Sequence, residues 1–158
     1  FAPEGNIVGT VPAGTGLMVL ANDNIEVFGN EFDNNQTAHA LVVSYLINEI
    51  PFDDPNYDPF PEAIYIHNNQ FSNGGKNPDS DPLNMLKEAT GQAIPDIVWD
   101  GMMIPGKQGK DIICLGDNGG ASFVNLDAAN GFAEPSFDAA AHQCTLPNLS
   151  VISLSPAE

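Results

Sequence analysis

Arginine is absent from this chain of 158 residues, and only four lysines, at positions 76, 87, 107 and 110, oppose 21 acids. The formal net charge is −17. Binding of DNA or RNA draws on Lys and Arg to neutralise phosphates, so nucleic acid is excluded as a partner. Anionic membranes and anionic polysaccharides are repelled for the same reason, while cations are attracted. Long hydrophobic runs are also missing. The longest, residues 40–47, is interrupted by Ser44 and Tyr45, so nothing in it inserts into a bilayer.

Cysteine is scarce: Cys114 and Cys144 are the only two. They form no CxxC, haem-attachment or zinc spacing, which leaves thiol redox, covalent haem and Cys-zinc chemistry without support. An even count in an acidic, Asn-rich chain fits one disulfide and an oxidising compartment, extracellular or periplasmic. Two buried free thiols are the alternative. Neither a Gly-x-Ser-x-Gly elbow nor a P-loop is present, and the paired glycines at 119–120 read as turn residues. The chain starts at Phe1 rather than Met, which reads as a processed or truncated start.

What the sequence does hold is turns and short strands. Apolar residues make up 42%, enough for a core in one domain, and 15 Gly with 13 Pro punctuate them. Residues 16–21 (GLMVLA), 38–46, 96–101, 112–115, 122–126 and 151–154 read as strands separated by polar turns. Two stretches stand out: NIEVFGNEF at 24–32 and AIYIHNNQF at 63–71. Both alternate apolar and polar residues and end in Asn-x-Phe. Between them lies a segment of different grammar, 47–62, with four prolines and no strand period. Excising it leaves a repeat in the low twenties, with about three short strands per period, the signature of a β-solenoid. Phe32 is then expected above Phe71, and Asn30 above Asn69, with the asparagines bonding from one coil to the next.

Residues 81–91 predict one short helix, with Asp81 as N-cap, Pro82 as first helical residue and Gly91 as the stop. Residues 102–111 read as a loop, and 127–142 as a loop or a poor helix. The expected fold is all-β: a right-handed parallel β-helix with a side-loop insert and one short helix. A β-sandwich is the competing architecture.

NDNIEVFGNEFDNNQT and AIYIHNNQFSNGG resemble repeats of right-handed parallel β-helix proteins, and the wider run from FAPEGNIVGTVPAGTGLMVLANDN through PDIVWDG and ICLGDNG is similar to the C-terminal part of one family of bacterial exported parallel β-helix repeat proteins. The resemblance implies a single domain that is the last portion of a longer solenoid. It implies no established activity, and it makes a haem-bearing lipoprotein a candidate partner. Related folds include pectate lyases, polygalacturonases and alginate epimerases, but a fold does not transfer an activity.

The catalytic patterns fail residue by residue. A lyase of this fold uses Arg or Lys beside calcium, and no lysine lies in register with an acid cluster. A hydrolase needs two carboxylates about 5–9.5 Å apart, whereas Asp96 and Asp100 on one strand stand about 13 Å apart. Metal binding has one lead: Asp54, Asn56 and Asp58 carry the Asp-x-Asn-x-Asp spacing that opens a calcium loop, although Pro59 replaces its glycine and Tyr65 its bidentate acid. Calcium is therefore the one cofactor suggested. Asn35-Gln36-Thr37 and Asn148-Leu149-Ser150 match glycosylation sequons.

These readings converge on a non-enzymatic, exported binding or assembly module of an envelope or extracellular complex. Phe52, Tyr57 and Phe60 in the insert form its expected contact surface. A protein partner or self-assembly is expected, with carbohydrate as a further ligand class. The alternatives are a carbohydrate-active enzyme (lyase, hydrolase or epimerase) completed by further coils, and a calcium-binding carbohydrate module.

Overall fold

A computed structural model describes residues 7–48 and 50–150. The strand expected at 151–154 lies outside the described residues, as does Phe1. Among the described residues nine short strands follow one another: β1 (Thr15–Leu20), β2 (Asp23–Phe28), β3 (Glu31–Asp33), β4 (Ala38–Val43), β5 (Glu62–His67), β6 (Gln70–Ser72), β7 (Ile97–Trp99), β8 (Ile113–Leu115) and β9 (Phe123–Asn125). Helix α1 (Asp81–Thr90) precedes β7, and a single turn, α2 (Gly109–Ile112), precedes β8. The strands are distributed in rotation over three parallel sheets, ordered β1-β4-β7-β9, β2-β5-β8 and β3-β6.

Local chemistry explains the breaks between strands. Asn24, Asn34, Asn68 and Asn73 all adopt positive φ, between 53° and 60°. Asparagine tolerates that left-handed conformation better than any residue except glycine, which accounts for its abundance at the corners. Helix α1 stops where Gly91, at φ 66°, donates its N–H to the Lys87 carbonyl. Its N-cap is Ser80, so Asp81 and Pro82 are its first two residues rather than cap and first.

Two cores result. Val19, Val27, Val42, Ile64, Ile66, Trp99, Ile113 and Phe123 fill the space between the four- and three-stranded sheets. On the other face of the four-stranded sheet, Leu41, Val43, Val98 and Val124 meet Leu83 and Leu86 of α1. All six residues of β4 are buried for this reason, because it faces apolar neighbours on both sides.

That double burial corrects the expected fold class. The three sheets remain separate and are not closed or curled into a solenoid, and with its helices the architecture is α/β-like rather than all-β. The repeat in the sequence specifies which residues lie side by side on neighbouring strands. Closure of the sheets is a separate property, and sheet order carries it. The third sheet ends after two strands, because beyond Ser72 the chain leaves for α1. The single expected helix is also corrected to two among the described residues, since α2 occupies the end of the stretch read as a loop.

Candidate functional site

The insert is held at both ends. At the end of β4, the Ser44 N–H donates to Asp100 Oδ2 at 2.7 Å, and the Met102 N–H donates to Asp100 Oδ1 at 2.9 Å. Asp100 is fully buried, and burial raises its pKa against the opposing pull of those two donors. A 3-10 turn, Tyr45–Asn48, then carries the chain outward. The Tyr45 N–H donates back to the Pro59 carbonyl at 2.8 Å, which closes the loop at its base.

Inside the loop, Pro55 presets a turn in which the Tyr57 N–H donates to the Asp54 carbonyl at 3.2 Å. Asp54 Oδ1 accepts the Asn56 N–H at 2.9 Å, and Asp58 Oδ1 accepts the Phe60 N–H at 3.0 Å. The turn folds Tyr57 against Phe52. The rings of Tyr45, Phe52 and Tyr57 meet edge to face, with centroids 5.7, 5.3 and 5.0 Å apart. Phe52 and Tyr57 nonetheless remain 41% and 37% exposed. Of the three aromatics expected at this surface, Phe52 and Tyr57 are together. Phe60 is half-buried and joins no ring contact among the described residues.

Acids crowd the base of the loop. Burial raises the pKa of Asp23, reinforced by the Asp58 and Glu62 charges. The Tyr57 hydroxyl is raised by burial, then by Tyr45 and Asp58. Lys107 stands 3.4 Å from Glu62 as the one cation paired there among the described residues. Of the calcium candidates, Asp54 and Asp58 cap amides of their own loop, and Asn56 donates both its N–H and its Nδ2 to Asp54 Oδ1. Among the described residues no three His, Cys, Asp or Glu side chains are grouped to hold a metal.

Elsewhere the three histidines are buried. His67 Nε2 lies 3.0 Å from Glu26 Oε1, and the imidazole is stacked on Tyr65 at 4.1 Å and Phe28 at 5.4 Å. The other Glu26 oxygen accepts the Leu149 N–H at 2.8 Å. His39 is buried, with Asn35 Nδ2 3.0 Å from its Nδ1 and Asp96 Oδ1 3.8 Å from its Nε2. Among the described residues no Ser, Thr or Cys side chain bonds an imidazole, so no activated nucleophile is assembled. The same Asn35 bond occupies the amide of one sequon, whereas Asn148 in the other is exposed.

The residues expected to stack do lie in register. Phe32 pairs with Phe71, their rings 5.0 Å apart and 6° from parallel. Asn30 Nδ2 donates to Asn69 Oδ1 at 3.0 Å. A third rung, Asn118, extends this ladder: Asn69 Nδ2 donates to its Oδ1 at 3.1 Å. Sequence reasoning missed Asn118, which lacks a following Phe, and its signal was only the GDN spacing after β8. It also missed Tyr45, counted there as a break in an apolar run. Cys114 and Cys144 are disulfide-bonded, which sets aside the free-thiol alternative.

Comparison with known proteins found no matching family model, no similar curated protein and no similar solved structure. The described residues contain no helix long and apolar enough to cross a membrane, and the disulfide is consistent with an oxidising compartment.

Proposed function

We propose that this protein is a non-enzymatic binding and assembly module of an envelope or extracellular complex, working in the extracellular space or the periplasm. The observation that carries this reading is the Tyr45–Phe52–Tyr57 trio. Its rings are braced against one another and still present Phe52 and Tyr57 to solvent. Rigid aromatic side chains of this kind supply large contact area at low entropic cost. The prolines and the closed base limit the loop's freedom, so docking orders little that is not already ordered. The acids around it favour a protein partner with a basic rim. A haem-bearing lipoprotein is a candidate partner on the sequence resemblance alone.

The test is retention of proteins from secreted and envelope fractions of the native host on immobilised wild type and on the F52A/Y57A variant. The variant removes all three ring pairs and loses about 3 kcal/mol of stability, stays folded, and no longer retains the partner. Equal retention by both proteins, or release of reducing ends from a polysaccharide by the wild type, overturns the reading.

A further inference from the structure

The three rings of the insert stand almost square to one another. Tyr45 lies 84° from Phe52 and 85° from Tyr57, and Phe52 lies 73° from Tyr57. An aromatic face carries negative charge density and its edge positive. Because the three planes are close to perpendicular, a group arriving from any direction meets the face of at least one ring. No two centroids are more than 5.7 Å apart. A small cation resting on the trio therefore comes within about 6 Å of every ring, the range of cation–π attraction. Phe52 and Tyr57 keep that approach open, since both are exposed.

Charge and shape choose the guest. Asp53, Asp54 and Asp58 flank Phe52 and Tyr57 in the chain and are exposed. Asp54 and Asp58 each give one carboxylate oxygen to the loop and keep the other, and Asp53 bonds nothing among the described residues. Burial raises the Tyr57 hydroxyl, followed by Tyr45 and the Asp58 charge, so this ring is neutral and has a carboxylate close by. The insert, residues 47–62, contains no cation of its own, and Lys107 beside its base is engaged with Glu62. A planar guanidinium stacks on one ring at a time, whereas a compact ammonium attracts several faces at once. We infer that the trio is a receptor for an ammonium group, the one that a lysine side chain of the partner carries. Its methylene stem lies along the rings and the ammonium faces the acids. This inference rests on the reading of the trio as the contact surface and names what that surface grips.

The probes are capped lysine, capped arginine and capped norleucine, the last an uncharged match for the lysine stem, each titrated into the whole protein and followed by NMR. Capped lysine shifts the ring resonances of Tyr45, Phe52 and Tyr57 saturably, and its own ε-methylene protons move upfield under the ring currents. It binds about tenfold more tightly than norleucine and severalfold more tightly than arginine. F52L/Y57L keeps the apolar bulk and every acid, yet loses the saturable shifts. D58N weakens binding severalfold while its amide oxygen still accepts the Phe60 N–H, so the loop stays in place. Equal binding of norleucine overturns the inference, because the surface is then merely apolar. Equal binding by F52L/Y57L also overturns it, because the acids alone then gather lysine, and so does a preference for arginine or the lack of a saturable shift. If lysine fails to bind while F52A/Y57A still loses the retained partner, this inference falls and the assembly reading stands. If lysine binds and retention is unchanged, the ammonium site stands and the assembly reading falls.

Discussion

Phe32 and Phe71 lie far apart in the chain and one strand apart in space, their rings stacked 5.0 Å from each other. His39 approaches both, with centroids at 6.3 and 5.6 Å, so the pair and the imidazole form one packed unit at the edge of the core. Gly74 closes it. A Cβ there would fall 2.1 Å from His39 Nε2, so only glycine fits.

Both phenylalanines are half-buried, so replacing either with Ala costs about 2 kcal/mol, less than in a full core. A double-mutant cycle isolates the stacking. F32A/F71A loses about 1 kcal/mol less than the two single variants together, as read from denaturant midpoints. Strict additivity would show that the rings share burial but no pairwise interaction.

The asparagine ladder is unequal. Asn69 is buried, donates to the Val27 and His67 carbonyls and accepts from the Asn30 N–H. Asn69→Ala strands those groups and costs about 3 kcal/mol. Asn30 is exposed, water replaces its amide, and Asn30→Ala costs under about 1 kcal/mol. Thermal unfolding of the two variants checks the ranking.

The disulfide closes a loop with a sequence separation of 30 residues. In the chain-entropy account this restricts the unfolded chain by about 3–4 kcal/mol. The C114A/C144A variant, or the reduced protein, unfolds at correspondingly lower denaturant with an unchanged fold by circular dichroism. A midpoint that does not move would place the whole effect in native strain relief.

Acid should destabilise the protein in two stages. Burial holds His39 and His142 below the ordinary imidazole value of 6.5. The unfolded chain therefore takes up their protons first: the stability is complete above about pH 6.5 and is lost as pH falls below it. Asp96 and Asp33 pull His39 the other way but do not reverse the sign. A second loss follows lower down. Glu26 is held below its usual value by the Leu149 N–H and then by His67, and Asp33 by Ser72 and then Asn73. Their contributions are present above the unfolded carboxylate values and vanish as pH falls through the folded ones. Asp100 and Asp23 are raised and oppose this, adding stability only when protonated and losing it as pH rises. Melting temperature therefore falls between about pH 7 and 5. H39Q or H142Q flattens that first leg, even where the variant starts lower.

Several features were legible without coordinates because their causes are local. Strand runs follow from alternating side chains, the helix from Pro82 and Gly91, and the bridge from a count of two cysteines. The register of Phe32 on Phe71 was also readable, since two parallel neighbours need like residues at like places once the insert is removed. The candidate site was only half legible. Phe52 and Tyr57 announced themselves by composition, but Tyr45 joins them through a turn closed by Pro59, and no short-range pattern encodes that. Asn118 joined the ladder from a segment, ICLGDNG, that lacks the Asn-x-Phe signature.

By itself, then, the sequence determined the net charge, the corners, the register and the covalent link. Whether the sheets would close was decided only in three dimensions. An apolar strand such as β4 carries no mark of what will cover its second face, and here that cover is α1. Periodicity reports neighbours a few residues or one repeat away, whereas the stacking of layers depends on long-range packing that each loop path is free to redirect.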